Sequence, residues 1–175
     1  MTTTPSAPAK KKATFNTLTV SEVRALTEDS VEVSFAIPPE LQDDYDYIPG
    51  QYVALRATID GQEVRRSYSI CDVPRDGILR VAIKRDRGGV FSTWANDTLK
   101  PGDSMDVMNP QGAFTSKTHL TGLNNPEAVR EELEKLENPH LVAIAAGSGI
   151  TPIMAIAQTV LHTSPDATFE LIFAN

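Results

Sequence analysis

Three short stretches of this sequence combine residue types that could bind a phosphorylated or flat aromatic ligand. The first is Arg66-Ser67-Tyr68-Ser69-Ile70, which brings together a guanidinium, a phenol ring and two hydroxyls. On a strand, alternation places Arg66 and Tyr68 on one face, and Ser67 and Ser69 on the other. Arginine binds phosphate through paired hydrogen bonds, and tyrosine offers a flat face to a flat ligand. By itself the pattern also fits an ordinary surface strand.

The second stretch is Gly88-Gly89, which precedes a short helix predicted near residues 90–99 and carrying Ser92. Free amides at a helix N-terminus attract anions, and glycine lets a phosphate approach the backbone closely. A simple turn before a helix is the alternative interpretation.

The third stretch is Gly147-Ser148-Gly149-Ile150-Thr151, between a predicted buried strand and a predicted helix. Dinucleotide sites use this context. The full glycine fingerprint of such sites is incomplete here, because the expected third glycine is absent. A plain tight turn between strand and helix therefore stays open.

The elements that must position these stretches fall into two halves. In the first half, apolar residues alternate with polar ones in residues 31–37, 53–59, 79–83 and 105–107. Turn signals separate these strands, namely Pro38-Pro39, Pro49-Gly50, Asp60-Gly61, Asp76-Gly77 and Pro101-Gly102. Short strands separated in this way are typical of an antiparallel barrel or sandwich, and Asp60-Gly61 predicts a two-residue hairpin.

The second half predicts a connecting helix and one parallel strand–helix–strand unit. Asn125 and Pro126 are typical of a helix start. The continuous apolar run of residues 140–146 predicts a parallel strand buried on both faces. A helix from Thr151 and a strand at 169–173 complete the unit. Because one such unit leaves two exposed sheet edges and little core, we expect the chain to be part of a longer protein.

Composition narrows the function classes. The 175-residue chain has a net charge of −7, which argues against a nucleic-acid partner. No apolar run reaches the length of about 18 residues that spans a bilayer, and the N-terminus lacks a secretory apolar segment. We therefore expect a cytoplasmic protein without a membrane partner. Residues 1–13 are expected to form a disordered tail.

Metal sites are not expected. Cys71 is the only cysteine, which excludes a four-cysteine cluster within this chain, and the three histidines are scattered. The acidic residues Asp43, Asp44 and Asp46 are interpreted as a solvated loop rather than a calcium site. Cys71 itself is expected to be a buried, inert thiol, with redox sensitivity as the alternative.

The three stretches, in this order, resemble the ferredoxin–NADP reductase superfamily over residues 15–175. The resemblance implies a six-stranded antiparallel Greek-key barrel that binds FAD (residues 14–117). A linker with a helix (118–138) and the first βαβ unit of an α/β NAD(P)-binding domain (139–175) would follow. The Phe15, Leu18 and Val20 start, the strand ending in Cys71 and the long linker look most like the reductase component of phenylacetyl-CoA oxygenase (epoxidase) systems.

This resemblance also implies roles for individual residues. Arg66 would hold the FAD pyrophosphate, Tyr68 would pack on the isoalloxazine ring, and Ser69 would lie near its reactive N5 edge, so Tyr68 and Ser69 are the expected catalytic pair. The remaining cofactor contacts would come from Ala82, Ile83, Lys84, Gly89, Val90, Phe91 and Ser92. The nicotinamide nucleotide would contact Gly147, Ser148, Gly149 and Thr151. The turn Pro49-Gly50-Gln51 would be structural.

By the same resemblance, the full protein would pass electrons from NAD(P)H through FAD to a [2Fe–2S] centre and on to an oxygenase, in phenylacetate degradation. The cluster would lie outside this chain, which alone is expected to be inactive. Two alternatives remain at this point. One is a flavin-binding relay protein that does not oxidise NAD(P)H, and the other is a barrel that binds a ligand other than flavin.

Overall fold

The computed structural model describes residues 11–114, Lys135 and residues 139–174. Eight strands and three helices lie in these ranges. The strands are β1 (Phe15–Thr27), β2 (Ser30–Ala36), β3 (Tyr52–Ile59), β4 (Gln62–Ser69), β5 (Ile78–Lys84), β6 (Ser104–Met108), β7 (His140–Ala146) and β8 (Thr168–Ala174). The helices are α1 (Gln42–Tyr45), α2 (Val90–Thr98) and α3 (Ile150–Thr163), with short 3₁₀ turns at Pro39–Leu41 and Gly147–Gly149.

The first six strands form one antiparallel sheet in the order β4-β3-β6-β1-β2-β5. β1 pairs with β6 through its first residues and with β2 through the rest, and two register shifts let it bend between them. The two edge strands then approach each other, and an isolated bridge joins Ile70 to Val81. The predicted antiparallel barrel is thereby confirmed as a curled sheet whose edges nearly close.

The barrel core follows the predicted alternation. Val31, Val33 and Phe35 of β2 and Val81 of β5 are almost completely buried, because every second side chain of a strand points to the same face. α2 covers one end of this core with Phe91 and its following turn. The helix therefore packs on the barrel through an apolar side and presents its first turn near β4.

Turn chemistry fixes the β3–β4 hairpin as predicted. Asp60 and Gly61 both have positive φ, of 49° and 75°, the geometry that two-residue Asp-Gly hairpins adopt. The hairpin sets the register in which Leu55 pairs with Arg66 and Val53 with Tyr68. Because Leu55 and Val53 are fully buried, Arg66 and Tyr68 lie on the core-facing side of β4.

The acidic stretch differs from its prediction as a loop. It forms the single helical turn α1, in which Asp43 and Asp44 are exposed while Tyr45 is buried. The Tyr45 hydroxyl donates to the carbonyl oxygen of Val107 at 2.6 Å, and the Tyr47 hydroxyl donates to that of Val73 at 2.8 Å. Two buried tyrosines therefore hold this turn against the barrel. The three neighbouring aspartates had led to the prediction of a solvated loop.

The last two strands, β7 and β8, form a separate sheet that belongs to the predicted βαβ unit. β7 and β8 are parallel and in register from His140–Thr168 to Ala146–Ala174, and Ile156 and Val160 of α3 pack against them. The expectation that β7 is buried on both faces is wrong for the described residues. The side chain of Ile144 is 77% exposed, since α3 covers only one face of the two strands.

Two further expectations concern the ends of the barrel. The connecting helix predicted from Asn125 lies outside the described residues. Lys11 and Lys12, assigned from the sequence to the disordered tail, contact the barrel: the Asn109 side-chain amide donates to the Lys12 carbonyl oxygen, and Lys11 donates to the Asp46 carbonyl oxygen.

Among the helices of the described ranges, none has the length and apolar character needed to cross a bilayer.

Candidate functional site

An open hollow lies where the β3–β4 hairpin, β4 and the start of α2 meet. It has a volume of about 500 Å³. Its lining residues are Ile59, Asp60, Gln62, Glu63, Val64, Arg65, Arg66 and Val90. The structure thus brings the first predicted stretch, at Arg66, to the second, at Val90, although 23 intervening residues separate them along the chain.

Arg66 is exposed at this hollow, and its guanidinium forms no ion pair with a carboxylate of the described residues. Its Nη1 donates a hydrogen bond to the carbonyl oxygen of Arg65 at 2.7 Å. The neighbouring Arg65 behaves differently, since its guanidinium lies 4.9 Å from the centre of the Phe15 ring and contacts the Met108 sulfur. Of the two adjacent arginines, Arg66 therefore offers donors to an anion in the hollow, whereas Arg65 packs against the barrel.

Tyr68 links β4 to α2. Its ring centre lies 5.8 Å from that of Phe91, which in turn lies 5.6 Å from that of Trp94. Burial raises the pKa of Tyr68 to about 12, with the carboxylate of Asp86 acting in the same direction and Arg66 opposing both. At neutral pH the phenol is accordingly a neutral hydroxyl on a ring held between strand and helix.

The start of α2 is built around a glycine that cannot be replaced without movement. A Cβ on Gly89 would lie 2.5 Å from the Ser92 Oγ and 2.9 Å from the Asp86 Cβ. The Ser92 Oγ accepts a hydrogen bond from the Asp86 amide at 3.0 Å, and the Gly89 amide donates to the Asp86 carbonyl oxygen. No side chain caps the first turn of α2, and that turn contains no acidic residue. The amides of this turn remain suited to an anion.

The other predicted flavin contacts are placed less uniformly. Ile83 is fully buried in the core, while Ala82 pairs with Glu32 and so faces the opposite side of β5. The Lys84 ammonium lies 3.6 Å from the Asp29 carboxylate. The three side chains therefore do not all face one ligand. Only the backbone of this segment could contact the flavin at all three positions. Ser69 pairs with Tyr52 at the end of β4 and is half-buried.

The Pro49-Gly50-Gln51 turn has the structural role predicted for it. The Gln51 side-chain oxygen accepts from the Ile48 amide at 3.0 Å, and a Cβ on Gly50 would collide with the Phe114 carbonyl oxygen at 1.8 Å. The same Cβ would lie 3.4 Å from the Ile156 Cδ1 of α3. A side chain at this position is excluded, and the turn is one place where barrel and α3 meet.

The predicted nucleotide loop forms the 3₁₀ turn Gly147–Gly149 that leads from β7 into α3. Gly147 has a φ of 50°, and the glycines and Ser148 are exposed. The Thr151 hydroxyl donates to the Ser148 carbonyl oxygen at 3.0 Å, which fixes the loop against the first turn of the helix. No side chain caps α3 at Gly149. The Ile150 amide donates to the Gly147 and Ser148 carbonyl oxygens and Pro152 has no amide hydrogen, so this helix start offers fewer donors to an anion than that of α2.

Sequence reasoning missed two groups near these residues. Asp86 forms the turn that starts α2, and a partly buried ion pair joins Asp72 to Arg80 across the barrel edge at 2.6 Å. Neither group has a characteristic spacing in the sequence. The contacts of Asp86 depend on how its loop folds, and Asp72 and Arg80 belong to the two different sheet edges that approach each other. No signal in the sequence could have found them.

Cys71 lies directly after this site and is partly buried. Burial raises the pKa of the Cys71 thiol to about 12, with the carboxylates of Glu32 and Asp72 acting in the same direction. The thiolate is the reactive form, so burial lowers the population that can react.

We expect Cys71 to react with a disulfide reagent such as DTNB at pH 8 at least about a hundredfold more slowly in the folded chain than in the guanidinium-unfolded chain. The difference should shrink as the pH rises toward the folded-state pKa of about 12, because the thiolate then forms in both states. Stopped-flow absorbance of the two states measures it. Equal rates at pH 8 would contradict the buried, neutral thiol.

The residues around the hollow fit the phosphate and ring of a flavin dinucleotide. Arg66 supplies a guanidinium without a carboxylate partner in the described ranges, and α2 supplies an uncapped first turn whose glycine permits close approach. Tyr68 supplies a half-buried ring. These features suit a negatively charged group next to a flat one.

Comparison with known proteins supports the same interpretation. The profile of the oxidoreductase FAD-binding domain family matches residues 17–116. One component of the 1,2-phenylacetyl-CoA epoxidase of Escherichia coli is 42% identical over 162 residues, covering 93% of this chain and 41% of that protein. The ferredoxin reductase component of the 3-ketosteroid-9-alpha-monooxygenase of Rhodococcus rhodochrous is 34% identical over 160 residues, covering 90% of this chain and 40% of that protein.

Among solved structures, a cytochrome P450 reductase from Amycolatopsis superposes with a TM-score of 0.69 at 27% identity. The match covers 92% of this chain and 43% of the reductase. The chain thus spans about two fifths of the length of the curated relatives that it matches.

Proposed function

Because this chain belongs to the oxidoreductase FAD-binding domain family, we propose that its protein is an NAD(P)H-dependent flavoprotein reductase that supplies electrons to an oxygenase. The observation that carries the proposal is the meeting of Arg66 and the uncapped start of α2 at one hollow, with the Tyr68 ring packed beside them against Phe91 of α2. Family membership argues against the alternative of a barrel that binds a ligand other than flavin.

We propose that different residues at and beside the hollow bind different parts of the cofactor. Arg66 and the first-turn amides of α2 bind the pyrophosphate, since they are the donors of the hollow that have no carboxylate partner in the described residues. Tyr68 packs against the ring system and presents a neutral hydroxyl, because its pKa is about 12. Ser69 lies one position further along the strand and would hydrogen-bond near the reactive N5 edge of the ring. Phe91 of α2 contacts the Tyr68 ring and holds it in place.

Bound FAD would supply the redox chemistry, accepting an electron pair from NAD(P)H and releasing single electrons. The residues of the chain then have only to bind, orient and exclude water, and no acid–base side chain is required. The loop of Gly147, Ser148, Gly149 and Thr151 is proposed to bind the nicotinamide nucleotide, since it is an exposed glycine turn between a parallel strand and a helix, the context that dinucleotide sites use.

The electron acceptor is proposed from the relatives. Two of them are a component of a phenylacetyl-CoA epoxidase and the ferredoxin reductase component of a monooxygenase. We propose that the full protein passes electrons through a [2Fe–2S] centre, held outside this chain, to an oxygenase that acts in phenylacetate degradation. The cytoplasm is the proposed location, and neither nucleic acid nor membrane is a proposed partner.

The first experiment is the visible absorbance spectrum of the purified chain after incubation with FAD and desalting. A retained flavin band with resolved shoulders is the expected result, while NADH oxidation by the chain alone should be slow or absent. The full-length protein should oxidise NADH or NADPH when an artificial electron acceptor is supplied. A full-length protein that retains no flavin would contradict the proposal, and one that retains flavin without oxidising either nucleotide would favour an electron-relay protein instead.

A further inference from the structure

The seam of the barrel, where the β4 and β5 edges meet, is its least connected part. β3 and β4 pair along eight residue pairs, whereas the two edges meet, among the described residues, at the single bridge between Ile70 and Val81. A further backbone hydrogen bond crosses there, from the Cys71 amide to the Arg80 carbonyl oxygen at 3.0 Å. Because so few backbone hydrogen bonds join the two edges, other contacts must fix the distance between them.

A side-chain ion pair supplies such a contact. The Arg80 Nη1 donates to the Asp72 Oδ2 at 2.6 Å, and the two side chains are only 22% and 12% exposed. Asp72 follows the end of β4, and Arg80 lies within β5. The pair therefore ties the two edges at the point where their ladder is shortest.

Both partners are held rigidly by other groups. The Asp72 Oδ1 accepts hydrogen bonds from the Val73 amide at 2.8 Å and from Arg75 at 3.0 Å. The Arg80 Nε donates to the Ser34 hydroxyl at 3.0 Å, and Glu32 lies 3.9 Å from the same nitrogen. Because β2 and the loop after β4 fix the two ends, the ion pair holds a defined geometry.

The position of this pair relates it to the flavin site. Tyr68 and Ser69 lie just before Asp72 on one side of the seam, and the segment of β5 that begins at Ala82 follows Arg80 on the other. A change in the spacing of the seam would move these two groups relative to each other. Misplacement of supporting groups by a fraction of an ångström is enough to weaken a preorganised site.

We propose that Asp72 and Arg80 form a latch that fixes the spacing of the barrel seam and thereby positions Tyr68 and Ser69 for the flavin. This inference rests on the proposed function. The two residues are positioning residues, since neither lines the hollow, and their effect on the flavin passes through the backbone of β4.

The test uses the flavin-loaded full-length protein and a double-mutant cycle of Asp72→Asn, Arg80→Met and the double variant. Each single variant should weaken FAD binding about tenfold, or about 1.4 kcal/mol. The loss of affinity in the double variant should be well below the sum of the two single losses, because both substitutions remove the contact that the two residues share. Fluorescence titration gives the dissociation constants. Visible circular dichroism at saturating FAD reports the altered environment of the bound ring, which a loss of stability alone would leave unchanged.

Asp106→Asn is the matched control. Asp106 pairs with Arg56 at 2.8 Å between two other strands of the same barrel, and both side chains are partly buried. We expect this control to lower the melting temperature but to keep the FAD dissociation constant within about twofold, since its site is independent of the seam. Should Arg80→Met fail to fold, Arg80→Lys retains the charge and removes the paired geometry, and the same loss of affinity is expected.

Two results would overturn the latch alone. One is a parent that binds FAD together with an Asp72→Asn variant of the same affinity and the same visible dichroism. The other is an Asp106→Asn control that reproduces the full loss of affinity. A parent protein that binds no FAD would instead overturn the proposed function, and the latch with it.

Discussion

Replacing Arg66 with alanine should weaken FAD binding by about 10- to 100-fold while leaving the stability of the barrel almost unchanged. A charge-assisted hydrogen bond contributes about 1.5–3 kcal/mol. In the absence of a ligand, the guanidinium is exposed and donates to the adjacent carbonyl oxygen of Arg65, so its removal costs the folded chain little. Fluorescence titration with FAD measures the first effect, and thermal denaturation without FAD measures the second.

The adjacent Arg65→Ala variant is the matched control. It removes the same charge at the neighbouring position, but it also removes the contacts of Arg65 with the Phe15 ring and the Met108 sulfur. Although Arg65 also lines the hollow, these contacts hold its guanidinium against the barrel. We therefore expect the opposite pattern, with lower stability and an FAD affinity close to that of the parent. If both variants lose affinity equally, the effect is one of net charge, and the specific role of Arg66 is wrong.

Replacing Phe91 with alanine should lower the free energy of unfolding by about 3–5 kcal/mol, the usual cost of removing a fully buried aromatic side chain. Phe91 is completely buried, and its ring lies between those of Tyr68 and Trp94. The cavity would loosen α2 on the barrel and free the Tyr68 ring, so FAD affinity should fall as well. Chemical denaturation and FAD titration of the same variant measure both quantities.

Phe91→Leu separates packing from ring contact. Leucine fills much of the same volume, so its substitution leaves a smaller cavity and costs less stability than alanine. Most of the stability should return in this variant, whereas the restraint on Tyr68 by an aromatic neighbour should not. An alanine variant with parental stability would show that α2 does not depend on Phe91, contrary to its burial.

The site itself was only partly readable from the sequence. The sequence predicted the residue types at Arg66, at Tyr68 and at the glycine before α2, because the chemistry of phosphate and ring binding requires those types. The bonding of Ser92 to Asp86 was not visible, since it depends on how the intervening loop folds. The roles proposed for Ser69, Lys84 and Thr151 stay predictions that flavin and nucleotide binding to variants can test.

The same limit explains the differences in the fold. The period-two alternation of β2 and β5 predicted their buried faces correctly, because a strand places every second side chain on one side. The apolar run of β7 predicted a strand but not its exposure, since burial depends on what covers each face and α3 covers one. At α1, the exposed aspartates dominated the pattern, while the buried hydroxyl contacts of Tyr45 and Tyr47 came from distant parts of the chain.

By itself, then, the sequence determined the order of the elements, the hairpin at Asp60-Gly61 and the types of residue able to bind a flavin dinucleotide. These features depend on local backbone preference and on side-chain chemistry, which a linear pattern records. Only the tertiary structure decided that Arg66 meets α2 at one hollow, that Arg65 packs against Phe15 instead, and that Asp72 and Arg80 tie the seam. Such contacts join residues on different strands and loops, and the curvature and register of the whole sheet set their distances.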